Sequence, residues 1–392
     1  MCVKKFDGIW IGLVLVYVIF SPALVGTGLK NYFVFPLFLF TVLLTKYRAC
    51  VKDRSCVLML LVLLGWLFFS PISVFFVGDG EVGIFEYFEQ VFRILVLMSC
   101  VLFVISRCSG LDRYLVCNVG SFFVVSSLAL YVAINLFPSV KNLVFFLFYN
   151  HSDSDVFLSY MLDRPGLWIG NPNSLALVSV LFFVYFLVVK EMKFRLFMMA
   201  GSVFIVLVTQ SRTGLVCMVF AFFLWSIFEG KIRSFVVSFS VFCLIFFVSV
   251  WLEFVDIEKL VFRYYGGVNL AGRDEIWEQV FVSLIKSGAY VFGYFVLPGD
   301  IDTVDSEYFN VLARYGLVGL VLFLSVFICS LLFSFNKISH SADAKIGFLL
   351  VSVFLVSSLA SSPLTSLKLS IIFIVLYSLS FSNCTVQRGN VA

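Results

Sequence analysis

The chain returns about twelve times to apolar runs that reach or approach the length of a bilayer crossing, and nothing else in it constrains the fold so strongly. The runs cover residues 9–25, 32–45, 57–77, 88–106, 114–137, 174–189, 194–208, 214–228, 235–254, 309–333, 346–359 and 369–381. A helix needs about 17–25 mainly apolar residues to cross the hydrocarbon of a membrane. In that medium each backbone polar group must be paired inside the protein, which leaves helices as the natural spanning element for such runs. Only 13% of the residues are charged and 62% are hydrophobic, against roughly 25% charged in soluble domains. The expected fold is an all-α polytopic integral membrane protein, a single membrane domain over residues 1–392 with about twelve transmembrane helices.

Lysine and arginine fill every second connection. Lys46, Arg48, Lys52 and Arg54 form one group, followed by Arg107 with Arg113, then Lys190, Lys193 and Arg195, then Lys231 with Arg233, then Lys337 with Lys345, and last Arg388. Basic connections stay on the cytoplasmic side, so both termini are expected in the cytoplasm, with residues 9–25 as an uncleaved first span. The outward connections are then the acidic Asp79-Gly-Glu81 turn, a shorter periplasmic loop over 138–173, the tight turn from Gln210 to Thr213, and a long periplasmic loop over 252–308 between spans 9 and 10. The ten cysteines fall in apolar runs or basic connections, as a protein without a disulfide framework would arrange them against an oxidising exterior. A net charge of +4, spread over small clusters, gives no basic stripe for nucleic acid.

The long loop contains an amphipathic helix. Ile276, Trp277, Val280, Phe281, Leu284 and Ile285 recur at helical spacing, Asp274 and Glu275 occupy the first turn, and Gly288 is placed to end it. Such a helix, joined directly to membrane spans, is expected to lie flat at the interface as the roof of a site. Pro36 and Pro71 fall inside early runs, where kinks are expected.

Charges in or beside membrane spans are costly to keep, which makes them candidates for function. Arg212 lies in the tight turn, Arg273 opens the amphipathic helix, and Arg263 and Arg164 lie in the two outward loops. Guanidinium forks bind phosphate oxygens in pairs, so four arginines on one face suit a diphosphate. The alternatives are an interfacial anchor for Arg212 and surface ion pairs for the others. Asp305 and Glu307 sit where the tenth run begins, although an Asp before a helix is also a common N-cap. Arg314 lies seven residues after Glu307 on the same helical face, about 10 Å deeper at a rise of roughly 1.5 Å per residue, and a buried arginine there needs a partner. Glu89 and Arg93, one helical turn apart, read as a local ion pair. Asp153-Ser-Asp155 and Asp300-Ile-Asp302 look like the paired acids of metal-dependent sugar transferases, yet both fall in outward loops. No metal-ligand spacing or phosphate-binding glycine loop accompanies them, and His151 and His340 fall on opposite faces. No metal or nucleotide cofactor is expected.

Four segments occur in a telling order: Asn171-Pro-Asn-Ser-Leu-Ala entering a span, Gln210-Ser-Arg-Thr-Gly between two spans, Gly272-Arg-Asp-Glu-Ile-Trp in the long loop, and Asp305-Ser-Glu-Tyr-Phe followed by Tyr315-Gly-Leu-Val-Gly. Together they resemble the bacterial O-antigen polymerase and ligase superfamily, over about residues 168–320. The resemblance implies a GT-C-like, metal-independent, inverting glycosyltransferase of the bacterial inner membrane. Its substrates would be sugars linked to undecaprenyl diphosphate, handled at the periplasmic face, with a flippase and a chain-length regulator as companions. It implies that Arg212 and Arg273 hold the diphosphate and that Asp305 and Glu307 lie beside the acceptor hydroxyl. Arg263, Arg164, Asn171, Asn173, Tyr308 and Arg314 complete the candidate substrate contacts. Ligases of this superfamily usually carry His where this chain has Asp305, which favours a polymerase. A ligase, or a flippase or other transporter of lipid-linked oligosaccharide, is the alternative.

Overall fold

The computed structural model describes residues 2–21, 54–76, 84–107, 113–148 and 164–231, scattered positions between 233 and 247, and residues 273–297, 304–364 and 366–386. Among them there is no strand. The helices are α1 (Cys2–Phe20), α2 (Arg54–Phe76), α3 (Ile84–Arg107), α4 (Arg113–Leu136), α5 (Pro138–Phe148), a 3-10 turn (Leu167–Ile169), α6 (Pro172–Val188), α7 (Arg195–Val208), α8 (Arg212–Phe228), α9 (Arg273–Ser287), α10 (Glu307–Phe335), α11 (Ala342–Ala360) and α12 (Leu367–Val386). Among the described residues four segments are long and apolar enough to cross a membrane: Glu86–Val104, Arg113–Leu136, Glu307–Phe335 and Ala342–Ala360. The chain is therefore an all-helical membrane protein. The expected span at 32–45, with Pro36, lies outside the described residues.

The core gathers around α6, which buries every residue from Ser174 to Val188. A helix apolar on all sides is buried on all sides, and α6 is enclosed by α4, α7, α8 and α11. Ser179 Oγ turns back on its own helix, donating to Leu175 O at 2.9 Å. Tyr185 carries its hydroxyl to Leu376 O of α12 at 3.2 Å, and Ser330 of α10 meets the Tyr377 hydroxyl at 2.6 Å. Aromatic rings fill the seam of α10, α11 and α12, with Phe354 stacked on Phe373 at 4.0 Å between centroids. Packing of this kind takes over as the cohesive force where apolar side chains gain nothing by leaving water.

Charges mark one end of the bundle. Glu229, just past α8, accepts from Lys190 and Lys345, both at 2.6 Å, and Arg113 pairs with Asp343 at 3.0 Å. Arg195 donates to Phe186 O at 2.5 Å and Leu187 O at 2.8 Å, satisfying carbonyls that the end of α6 leaves open. Burial pulls the Glu229 carboxyl upward, but the hydrogen bonds and charges of the two lysines outweigh it and hold the group down at about 2.

Two elements depart from expectation. Residues 138–148, expected as the start of a loop, form α5, with Pro138 at the first helical position, where its missing N–H costs nothing. Pro71 lies inside α2, which continues through it to Phe76. Helix α10 is broken at Gly316, whose φ of 63° and ψ of −167° are not helical.

The break is repaired by a distant segment. The kink removes the bonds that Ala313 O and Arg314 O would receive from Leu317 and Val318. Tyr294 N donates to Ala313 O at 2.8 Å and Phe295 N to Arg314 O at 2.7 Å, while Leu317 N donates to Tyr290 O at 2.9 Å and Val318 N to Val291 O at 3.1 Å. All four freed groups are thus paired with the 290–295 segment, as irregular backbone inside a membrane protein must be. The approach is so close that a Cβ on Gly316 would lie 2.2 Å from Val291 O, and one on Gly293 2.4 Å from Arg314 C. Phe295 is fully buried beside Tyr315, which stacks on Trp66 of α2 at 4.3 Å.

Helix α9 leads into this segment and ends at Gly288, with φ 73°. Val280 and Leu284 are buried against Ala313, and Trp277 stacks on Phe309 at 4.9 Å. The apolar arc expected as one stripe is divided, because Phe281 and Ile285 are more than half exposed.

Candidate functional site

The end of the bundle opposite Glu229 collects the helix starts that carry the sequence motifs. At α6, Asn171 is extended and its Oδ1 accepts from Asn173 N at 2.9 Å and Ser174 N at 3.1 Å, with Pro172 at the first helical position. This is a helix start of the favoured chemistry. The turn before it is pressed onto α5: Gly170 has φ 79°, and a Cβ there would meet Phe148 O at 2.1 Å.

Arg164 is only 4% exposed. Its Nε donates to Thr209 O at 3.0 Å, and its Nη2 to Asn173 Oδ1 at 3.1 Å and Gln210 O at 3.5 Å. Those two carbonyls close α7, where a cation also complements the helix dipole. Gln210 takes the left-handed conformation, φ 50°, to reverse the chain, and Ser211 Oγ then caps α8 by accepting from Gly214 N at 3.2 Å. Arg212 is left as the first residue of α8, partly exposed. Among the described residues its guanidinium has no hydrogen-bond or ion-pair partner.

The start of α10 is built differently from the sequence expectation. Ser306, not Asp305, occupies the N-cap position, and its hydroxyl donates to Ser358 O at 3.1 Å instead of capping. Asp305 stands just outside the helix and is exposed, whereas Glu307 is 1% exposed. Glu307 N donates to Ser361 O at 3.1 Å. Its Oε2 accepts from Leu364 N at 2.8 Å and its Oε1 from Asn310 Nδ2 at 3.2 Å. Asn310 Oδ1 in turn accepts from Arg314 Nε at 3.0 Å, and Arg314 Nη1 donates to Phe295 O at 3.1 Å. Arg93 of α3 donates to Leu364 O. The Tyr308 hydroxyl donates to Leu355 O of α11 at 2.8 Å.

Lys368, at the start of α12, joins the two groups of motifs. It is 4% exposed, and its Nζ donates to Ser21 O at 2.5 Å and Trp168 O at 2.9 Å, with the Phe148 ring 5.4 Å away. Leu364, which holds Glu307, thus lies four residues before the lysine that holds the turn leading to Asn171.

The structure brings Arg164, Asn173 and the turn before Arg212 into one network, and Glu307, Arg314 and Arg93 into another. Arg263 and the side chain of Arg273 lie outside what is described. Sequence reasoning missed Asn310 and Lys368. Asn310 shares the helical face of Glu307 and Arg314, which was the available signal. Lys368 stands at the start of an apolar run on an otherwise weakly basic side and carries no motif. Chemically, this end offers an exposed carboxylate and a partly exposed guanidinium held by rigid helix starts. No family model matches the chain, and no curated protein matches its sequence.

Proposed function

We propose that this protein is a surface-polysaccharide polymerase of the bacterial inner membrane. It transfers a growing glycan from undecaprenyl diphosphate onto the non-reducing end of a new lipid-linked repeat unit, without metal or nucleotide. In this proposal about twelve GT-C-like spans place both termini in the cytoplasm, the Glu229 end of the bundle faces inward, and the Asp305 end faces the periplasm.

The observation that carries the proposal is a division of labour within the motifs. Asp305, Arg212 and Asn171 come from three separate motifs, and each is at least partly exposed at one end of the bundle. Their neighbours Glu307 and Arg164 are buried and hold the turns that present them. Substrate-facing groups carried on rigid helix starts are what a transferase needs.

The acceptor hydroxyl attacks the anomeric carbon, its proton passing to Asp305, while the bond from that carbon to the diphosphate oxygen breaks. Diphosphate is already a good leaving group, so most of the catalysis lies in orienting the hydroxyl and neutralising charge on the departing oxygens. Arg212, on the first turn of α8, supplies a fork for those oxygens where the helix dipole also favours anions. Asp305→Asn in a deletion strain tests this. We expect polymer to fall at least ~100-fold, the usual contribution of a positioned general base, with single repeat units still transferred to their final acceptor. A full-length polymer ladder from this variant would contradict the proposal.

A further inference from the structure

A single hydrogen-bonded chain crosses α10 and ties together the two loops beside Asp305. It starts at Leu364 N in the connection between α11 and α12, and runs through Glu307, Asn310 and Arg314 to Phe295 O in the segment docked on the Gly316 break. Positions 307, 310 and 314 lie on one face of a helix, so a rigid element holds all three side chains. The order of donors is fixed. A carboxylate only accepts and a guanidinium only donates, so the middle residue must donate to one neighbour and accept from the other. An amide of the length of Asn does both. Arg93 clamps the far side of the Leu364 peptide.

We propose that Glu307, Asn310 and Arg314 are positioning residues that set the 361–364 connection and the 290–295 segment in register around Asp305, and that none of the three exchanges protons with substrate. The inference rests on the polymerase reading for its consequences in activity, though not for the hydrogen-bonded chain itself. It also divides the work of the two carboxylates: Asp305 meets the acceptor hydroxyl, and Glu307 acts through Leu364. The charged and titratable groups around Glu307 are Arg314 and Tyr315 on its own helix and Arg93 on α3, with Glu89 acting on Arg314.

The test reverses the direction of the one hydrogen bond between positions 307 and 310. Glu307→Gln and Asn310→Asp each place two like partners face to face. The double variant E307Q/N310D restores every contact, because the new amide accepts from Leu364 N and donates to the new carboxylate, which accepts from Arg314. We expect each single variant to lose polymer at least ~10-fold, about the effect of leaving one buried charged group unpaired, and the double to recover to within ~3-fold of wild type. The deficit of N310D should shrink as pH falls from about 8 to about 5, since one proton shared between neighbouring carboxylates restores the missing donor.

A double variant as inactive as E307Q, yet as heat-stable in detergent as wild type, would overturn the proposal by making Glu307 itself catalytic. Single variants that polymerise normally would overturn it as well. If N310D does not accumulate, Asn310→Ala takes its place and the double variant decides alone. Thermal rescue by the double variant in a protein whose wild type forms no polymer would leave the hydrogen-bonded chain standing and sink the polymerase reading instead.

Discussion

Glu229 sits between Lys190 and Lys345, and its charge is worth most to the fold when all three groups are ionised. Its folded-state value of about 2 lies below the ordinary 4.5, so the stabilisation is fully present above about pH 4.5 and is lost as pH falls towards 2. Thermal unfolding followed from pH 6 to pH 2.5 should therefore show a loss that Glu229→Gln, already without the charge, lacks. Arg164 and Arg212 illustrate how little residue type alone decides. Both were legible as candidate phosphate forks, but only burial separates them, since Arg164 points at the closing carbonyls of α7. Arg164→Lys keeps charge and loses the fork. It should lower the unfolding temperature, whereas Arg212→Lys should leave stability unchanged and reduce polymer. Lys368 was illegible because a lone lysine beside an apolar run resembles any boundary residue. Lys368→Met, of similar length, leaves Ser21 O and Trp168 O without their donor and should cost about 2–4 kcal/mol, read from chemical unfolding in detergent.

At the scale of elements, α9 was legible in advance: its apolar spacing, acidic first turn and terminal Gly288 all lie within one short stretch. The break in α10 was not. Tyr315-Gly-Leu-Val-Gly319 reads as small residues in an apolar run, and the groups that repair the break come from Tyr290 to Phe295, more than twenty positions away. Local pattern carries no record of such pairing. Helix α5 was hidden because Pro138 marks both loops and first helical positions. The repaired break makes a sharp prediction. Gly316→Ala adds a Cβ 2.2 Å from Val291 O at a φ that L side chains avoid, so the 290–295 segment must leave α10. Protease cleavage within 288–297 should rise several-fold in membranes, and the variant should lose polymer as well. An unchanged cleavage pattern would show that the segment does not depend on the break.

For the whole molecule, the sequence was informative about class. Apolar runs and sparse charge led directly to an all-helical membrane protein, and among the described residues four helices meet the length and composition of a span. The shorter helices α6, α7 and α8 depend for their cohesion on neighbours that no single run specifies. The proposal that transfer occurs at the Asp305 end, by polymerisation and not ligation or flipping, meets its most direct test in the surface-polysaccharide banding of a deletion strain. Core carrying one repeat unit is the predicted result, because flipping and ligation survive while polymerisation is lost. Core with no repeat at all, with stalled lipid-linked sugar found either as polymer outside or as single units inside, would contradict it and assign the chain to a ligase or a flippase respectively.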